Sequence, residues 1–298
     1  MKRFVKHITL FALPLLVLAV SLEWIAESIP NSYTYKREYM EHHGAQIRTL
    51  FLGSSNAYDA FAASAVPAAF NLANSSQTIE DDYRLLERYI DTLDSLQTVV
   101  IGLGYHSLGL TTQANRRTYY TIYMDLYPRW PLNAYSFEIF NLELLTKKII
   151  KYAVSRDVTR CDSLGQRIGH DSLAVVHHTE FWNRDIAGMV ANDRMNVSRH
   201  YNVINANYAY LCKMIDLCNA HGVRPVIVNM PAMEEYIDML PRDQLDLQDS
   251  VLSFLSPYAL CINASAWPIP AEGWYNATHL TREASVAFTK KLEELMAE

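Results

Sequence analysis

Two short segments far apart in the chain contain the residue types that together perform nucleophilic acyl chemistry. Gly53-Ser54-Ser55-Asn56 follows an apolar run, and a strand that ends in Gly and small hydroxyl residues turns sharply. Such a turn exposes a serine hydroxyl at the carboxyl edge of a sheet, where open α/β folds bind ligands. A serine becomes a nucleophile only beside a base, and His279 is the candidate base. The chemistry therefore requires that the two segments meet in the folded chain.

Alternating strand and helix patterns predict the scaffold that positions these segments. Apolar strands alternating with amphipathic helices are typical of a parallel sheet covered on both faces. We therefore predict an α/β fold, a three-layer α/β/α sandwich with a mainly parallel, flavodoxin-like central sheet. The predicted strands lie at 47–52, 69–72, 98–103, 225–229 and 259–262, and the helical stripes run over 79–93, 206–217 and 284–295.

The alternation stops between Tyr105 and about residue 200. This predicted insertion contains many aromatic residues, a helix-like stretch over 138–153 and a polar segment over 155–199. Insertions of this size on an α/β core usually form a lid or side wall near a site. The aromatic side chains either stack on sugar rings or pack a small core of the insertion itself, and the second role is the more common for any single one.

The first 26 residues form a candidate membrane anchor. Three basic residues precede the uncharged run Ile8–Leu22, which is close to the length of about 20 apolar residues that a spanning helix needs. A cleaved signal peptide is the alternative, because Ala19-Val20-Ser21 resembles a cleavage site. Trp24 is a typical interfacial anchor and favours an uncleaved single-pass helix with its basic end in the cytoplasm. Residues 27–45 then form a stalk.

Composition excludes several classes of function. A net charge of -6 gives no support to nucleic-acid binding. The four cysteines have no zinc-ligand spacing, and Cys212 and Cys218 lie six apart on a predicted helix, which argues against a mutual disulfide. We expect no metal ion and no cofactor.

Four blocks in order resemble the SGNH (GDSL-like) hydrolases. The likeness covers roughly residues 46–104 and 200–298, and it places the SGNH-like domain at 46–298 with the insertion at about 105–200. The blocks are Gly53-Ser54-Ser55 with Ser55 at the nucleophile position, Phe70 to Gln77, Ile101 to His106 and Asn276 to Leu280.

Within that family the chain is most similar to membrane-anchored members. These are the DltD-type proteins of teichoic-acid D-alanylation and the SGNH-like proteins that work beside membrane-bound O-acyltransferases on exported polysaccharides. The resemblance implies ester cleavage or acyl transfer on an acylated glycan or other ester. It also implies a bacterial inner-membrane location with the main domain outside the cytoplasm, and a membrane-bound O-acyltransferase as partner.

The resemblance also implies roles for particular residues. His279 takes the proton of Ser55 as general base and Asn276 orients the imidazole. The backbone N–H of Ser55 is one oxyanion donor. Further oxyanion or substrate-binding positions are Gly53, Asn74, Ser75, Ser76, Tyr105 and His106.

The chain departs from the family pattern at three places. Asn276 stands where the family has Asp, and in serine proteases that change costs about 10⁴ in turnover. Ser75 or Ser76 replaces the second-block glycine, and the third-block Asn is absent beside Tyr105 and His106. Loss of one oxyanion hydrogen-bond donor lowers turnover by about 10²–10³.

These departures leave two questions open. Asp59 or Asp81 is a possible substitute for the missing third carboxylate. The alternative function is a catalytically degenerate SGNH fold, which would bind glycan or assemble with a membrane acyltransferase.

Overall fold

Five parallel strands form the central sheet of the chain. The structure, a computed structural model, describes residues 2–156, 159–170 and 179–297. The sheet strands are β1 (Thr49–Gly53), β2 (Ala69–Asn71), β3 (Thr98–Leu103), β4 (Arg224–Asn229) and β5 (Leu260–Asn263), and a separate antiparallel hairpin pairs β6 (Trp274–Asn276) with β7 (His279–Leu280).

The strand order is β2-β1-β3-β4-β5, and every neighbouring pair is parallel. The predicted strands and the parallel sheet are thus confirmed. The chain leaves β1 toward β2 in one direction and later reaches β3 on the other side of β1. In sheets of this order the crevice beyond the carboxyl ends of β1 and β3 is where ligands bind.

Helices cover both faces of this sheet. In the described ranges the helices of the chain are α1 (Lys2–Ser28), α2 (Ser32–His43), α3 (Ser55–Ala60), α4 (Ile79–Tyr89), α5 (Ala114–Ile122), α6 (Leu142–Ser155), α7 (Thr179–Asp193), α8 (Tyr201–Ala220), α9 (Glu234–Asp238), α10 (Arg242–Leu255) and α11 (Arg282–Ala297).

The arrangement of these helices confirms the three-layer sandwich. Helices α3 and α11 pack together on one face, where Phe61 stacks on Phe51 of β1 and on Phe288, with ring centroids 4.8 and 6.3 Å apart. On the other face α4 contacts β1, α8 contacts β4 and the two helices contact each other. Parallel crossovers are right-handed, so connections that run in opposite directions across the sheet place α3 and α4 on opposite faces.

The chain divides into two compact units. The first unit comprises residues 1–38 and 113–159, and the second comprises 39–112 and 160–298. In the first unit, Tyr33 packs on Tyr119 and Tyr120 at 5.3 and 5.2 Å, so part of the aromatic patch builds a core there. Residues 32–43, within the predicted stalk, form α2. The predicted domain limits stay a prediction.

Helix α1 has the length and composition of a membrane span. It is 27 residues long, and among the described residues it is the one helix that meets both criteria. Its most apolar stretch is not buried inside the protein. A single-pass anchor is therefore compatible with this helix.

Gly53 ends β1 in a conformation that favours glycine. Its φ is +130°, and a Cβ atom there would lie 2.6 Å from the carbonyl oxygen of Gly102 on β3 and 2.8 Å from Cβ of Ala57. The missing side chain lets the backbones of β1, β3 and α3 approach each other. The sharp turn that holds Ser54 and Ser55 depends on this close packing.

Replacing Gly53 with Ala is expected to lower the free energy of unfolding by about 2–6 kcal/mol, because backbone strain and overpacking add. Gly188→Ala is the matched control: Gly188 lies in α7 with open space around a built Cβ, and Ala favours a helix by up to about 1 kcal/mol. Urea unfolding followed by tryptophan fluorescence measures both. Equal stabilities of the two variants would contradict the close packing at Gly53.

Candidate active site

Asn276 holds the imidazole of His279 in the β6–β7 hairpin. Nδ1 of His279 lies 2.8 Å from Oδ1 of Asn276. The backbone N–H of Thr278 donates to the same oxygen at 3.1 Å, which identifies that atom as the amide oxygen. An amide oxygen only accepts hydrogen bonds, so the imidazole proton is on Nδ1. Nε2 is left with the lone pair that a general base uses.

The Nε2 edge of His279 faces helix α3. Nδ2 of Asn56 donates to the carbonyl oxygen of Thr278 at 2.7 Å and ties the first turn of α3 to the hairpin. Asp59 Oδ2 lies 3.7 Å from His279 Nε2. Ser55 precedes Asp59 by four residues, and residues four apart share one face of a helix. The fold therefore brings the two distant sequence segments together.

Ser55 and His279 do not form the hydrogen bond that joins serine and histidine in a resting serine enzyme. Within the described ranges the half-buried Ser55 hydroxyl makes no hydrogen bond, and Nε2 of His279 faces Asp59 instead. Catalytic hydrogen bonds are often long in empty sites and tighten when substrate binds. Ser55 as nucleophile and His279 as base stay predictions.

Burial lowers the pKa of His279 from 6.5 to about 4, and the nearby Arg167, His170 and His106 act in the same direction. The Asp59 carboxylate opposes them. The imidazole is therefore neutral at pH 7, as a base must be. Because its folded pKa is the lower one, the unfolded chain binds this proton more readily, and stability is lost as pH falls from about 6.5 towards 4.

Asp59 is a buried carboxylate held by residues of the polar segment. Its side chain is 1% exposed, with Arg167 Nε 3.2 Å from Oδ1 and His170 Nδ1 3.3 Å from Oδ2. His170 in turn stacks on Tyr275 with ring centroids 3.5 Å apart, and Arg167 donates to the Ser75 hydroxyl. Sequence reasoning missed Arg167 and His170, because the polar segment that carries them has no periodic pattern.

Arg167→Met is expected to lower the free energy of unfolding by about 3–5 kcal/mol, because it removes the arginine partner of the buried Asp59 carboxylate. Adding Asp59→Asn to this variant should restore most of the lost free energy of unfolding. Arg242→Met is the control, since its exposed pair with Asp246 contributes about 0–1 kcal/mol. A double-mutant cycle of urea unfolding measures the coupling. Additive effects would show that the two side chains do not form an ion pair.

Asp59 and Asp81, the two candidates for the missing third carboxylate, lie in different parts of the structure. Asp59 lies beside His279, as described. Asp81 Oδ2 accepts hydrogen bonds from the backbone N–H and the hydroxyl of Thr78 and completes the N-terminal cap of α4. In the described part of the chain no group of three or more His, Cys, Asp or Glu is placed to hold a metal ion.

Asp82 lies behind the turn at the end of β1. Its Oδ1 accepts hydrogen bonds from the backbone N–H of Gly53 at 3.0 Å and from Gln77 Nε2 at 2.5 Å. Burial raises its pKa to about 7. The carboxyl group therefore anchors the Gly53 turn from inside the protein.

Asn74 carries an unused hydrogen-bond donor near the same turn. Its backbone N–H donates to the Gly53 carbonyl oxygen at 3.3 Å. Its side chain is 3% exposed, and its Nδ2 has no acceptor among the described residues. A buried donor without a partner costs about 1–3 kcal/mol; the role of Asn74 as an oxyanion donor stays a prediction. The next residues are Ser75, bound by Arg167, and Ser76 with a φ of +56°.

Ser54 and His106 form a serine–histidine contact that sequence reasoning missed. Ser54 Oγ lies 3.5 Å from His106 Nε2 and donates to Asn56 Oδ1 at 3.2 Å. His106 Nδ1 lies 4.0 Å from Asp193 Oδ2, which accepts from the Tyr236 hydroxyl at 2.8 Å. Ser54 is only 2% exposed. These contacts tie the turn after β1 to the chain that follows β3.

Tyr105 packs in an apolar cluster with Val190 of α7 and Tyr236 of α9. It also lines a cavity of about 650 Å³ together with Trp267 and Trp274. Because Trp274 belongs to the hairpin that carries His279, this aromatic cavity and the candidate base share one structural element.

Comparisons with known proteins find structural likeness only. No protein family and no curated protein matches the chain. It is similar to a proposed acylhydrolase from Bacteroides fragilis, with 9% identity, a TM-score of 0.41, and 88% of this chain and 97% of that chain covered. It is also similar to a GDSL-like lipase from Bacteroides thetaiotaomicron, with 9% identity, a TM-score of 0.43, and 89% and 97% covered. Likeness at this level does not establish family membership, and the α/β fold is established by the sheet itself.

Proposed function

We propose that the chain is a serine-dependent ester hydrolase or O-acyltransferase of the SGNH (GDSL-like) type. The observation that carries this proposal is the orientation of His279: Asn276 holds Nδ1 at 2.8 Å, and Nε2 is directed at the face of α3 that bears Ser55 and Asp59. The site lies beyond the carboxyl ends of parallel strands, where α/β folds bind ligands. The ordered sequence blocks support the same assignment.

In this proposal Ser55 Oγ attacks the acyl carbon while His279 Nε2 takes the hydroxyl proton. The tetrahedral oxyanion accepts hydrogen bonds from the Ser55 backbone N–H and from Asn74 Nδ2. When the ester bond breaks, His279 returns the proton to the leaving alcohol oxygen. Water then releases the acyl group in hydrolysis, and a sugar hydroxyl takes it in transfer.

Asp59 supplies the negative charge that Asn276 lacks. Its carboxylate lies 3.7 Å from Nε2 of His279 and favours the protonated imidazole. An imidazolium forms during the attack, so this charge acts in the transition state. Asn276 orients the ring, and Asp59 stabilises its charge.

The proposed substrate class is an acylated glycan of the cell envelope. The cavity lined by Tyr105, Trp267 and Trp274 presents aromatic surfaces that suit sugar rings. Helix α1 supports a location on the outer side of a bacterial inner membrane, where such glycans are exported. A membrane-bound O-acyltransferase is the proposed partner.

A fluorophosphonate probe tests the proposal on the full-length chain in detergent. We expect covalent labelling, with mass spectrometry placing the adduct on Ser55. Heat-unfolded chain is the control, because labelling must require the folded site. A folded chain that the probe does not label would contradict the proposed chemistry.

The second candidate function is a catalytically degenerate subunit that binds glycan. The observation that favours it is the absence of a Ser55–His279 hydrogen bond, together with Asn276 in place of Asp. Binding of acetylated glycan that survives both Ser55→Ala and His279→Ala, in a chain without esterase activity, would support this candidate.

A further inference from the structure

Six large apolar side chains of the first unit lie on its surface outside α1. Each is between 50% and 81% exposed, and all lie within residues 130–154. Single exposed apolar residues are common, but six large ones within residues 130–154 indicate a surface that contacts something apolar. We call this set the apolar rim, and it consists of Trp130, Leu132, Phe140, Leu142, Ile150 and Val154.

Helix α6 contributes half of the rim and has apolar residues on two sides. Leu145 is buried in the first unit and so is the stem of Lys148. Ile150 and Val154 are four residues apart and lie on one side of the helix, and Leu142 lies about 12 Å before Ile150 along the axis, within about 80° of it. A helix with apolar surface on two sides needs a second apolar environment.

The residues around the rim also hold the last turns of α1. The Glu23 carboxylate accepts hydrogen bonds from the backbone N–H groups of Glu138 and Ile139, both at 2.9 Å. The carbonyl oxygen of Ala26 accepts from Lys148 Nζ at 2.8 Å. Both contacts are made by residues of the stretch that carries the rim, so this stretch packs against the C-terminal end of α1.

The uncharged part of α1 is shorter than the hydrocarbon core of a membrane, although the whole helix is long enough to span it. Its uncharged run, Ile8–Leu22, has fifteen residues, or about 22 Å of helix. The hydrocarbon core of a bilayer is about 30 Å thick. Glu23 ends the run, and Trp24 beside it is 72% exposed. The missing length lies where Glu138, Ile139 and Lys148 contact the helix.

We propose that the apolar rim is immersed in lipid, in the leaflet that the C-terminal end of α1 reaches. The rim supplies apolar surface at the point where the uncharged run of α1 ends. The backbone N–H groups bound to Glu23 keep its carboxylate hydrogen-bonded at that depth, which an isolated helix would not do. The proposal rests on α1 crossing the membrane and is independent of the acyl chemistry.

Ile150→Trp in the full-length chain tests the proposal in phosphatidylcholine–phosphatidylglycerol vesicles with brominated acyl chains, which quench nearby tryptophan. Phe254→Trp is the matched control, because Phe254 is exposed to a similar degree in the second unit. We expect the fluorescence added by Ile150→Trp to be quenched about two-fold or more, and that added by Phe254→Trp to be unchanged. Val154→Trp repeats the test at a second rim position.

Three results would overturn the proposal. Unquenched fluorescence at positions 150 and 154, in a chain that stays in the vesicles after alkaline carbonate, would place the rim in water. Release by carbonate would remove the premise that α1 spans, while labelling by the fluorophosphonate probe would still report on the acyl chemistry. Cross-linked dimers without quenching would assign the rim to a second copy of the chain.

Discussion

Ser55→Ala is expected to abolish fluorophosphonate labelling and to reduce ester hydrolysis by about 10²-fold or more. In a serine protease, loss of the nucleophile costs about 10⁶ in turnover, and an Asn in the third position has already removed about 10⁴. Removing Ser55 is thus expected to lower turnover by a further factor of about 10². Labelling should vanish completely, because the adduct forms on the hydroxyl itself. Gel fluorescence and p-nitrophenyl acetate hydrolysis measure the two effects.

Two further variants make this result specific. Ser253→Ala removes an exposed hydroxyl from α10 and should leave labelling and hydrolysis unchanged. Ser54→Ala removes the hydroxyl that contacts His106 at 3.5 Å. If Ser54→Ala abolished labelling and Ser55→Ala did not, the nucleophile would be Ser54 with His106 as its base, and the assignment of Ser55 would be wrong.

Asn276→Asp is expected to raise the turnover number by about 10²–10⁴. A carboxylate at this position keeps the hydrogen bond to His279 Nδ1 and adds the charge that stabilises the imidazolium. The upper bound is the full cost of the corresponding Asp-to-Asn change, and the charge of Asp59 nearby reduces the gain. Steady-state kinetics of p-nitrophenyl acetate hydrolysis measures the effect. Asn205→Asp, an exposed change on α8 with the same charge, is the control.

Asn276→Asp should also shift the acid limb of the pH profile of kcat/KM. His279 must be neutral to act as base, so kcat/KM falls as pH drops through its pKa, which is about 4 in the natural chain. A carboxylate on Nδ1 favours the protonated ring and raises that pKa. The limb therefore shifts to higher pH in Asn276→Asp. If Asn276→Asp brought no gain in ester hydrolysis, the glycan-binding subunit would be favoured.

The amino-acid sequence alone predicts the scaffold. Apolar runs such as 98–103 and helical stripes such as 79–93 predicted the strands and helices of a parallel sheet, because burial on both faces imposes these patterns along the chain. It also determined that the Gly53 turn and the segment with His279 are the candidates for chemistry. Parallel strands bring such turns to one edge of the sheet.

The side chains that surround the candidate base are known from the folded structure and not from local sequence patterns. Asp59 is on α3, while Arg167 and His170 come from a polar segment without any periodic pattern, and they meet at the buried carboxylate. The contact of Ser54 with His106 joins residues 52 apart. Contacts of this kind depend on distances between elements that are remote in sequence. Local patterns encode burial, and they contain no information about which polar side chains share a buried site.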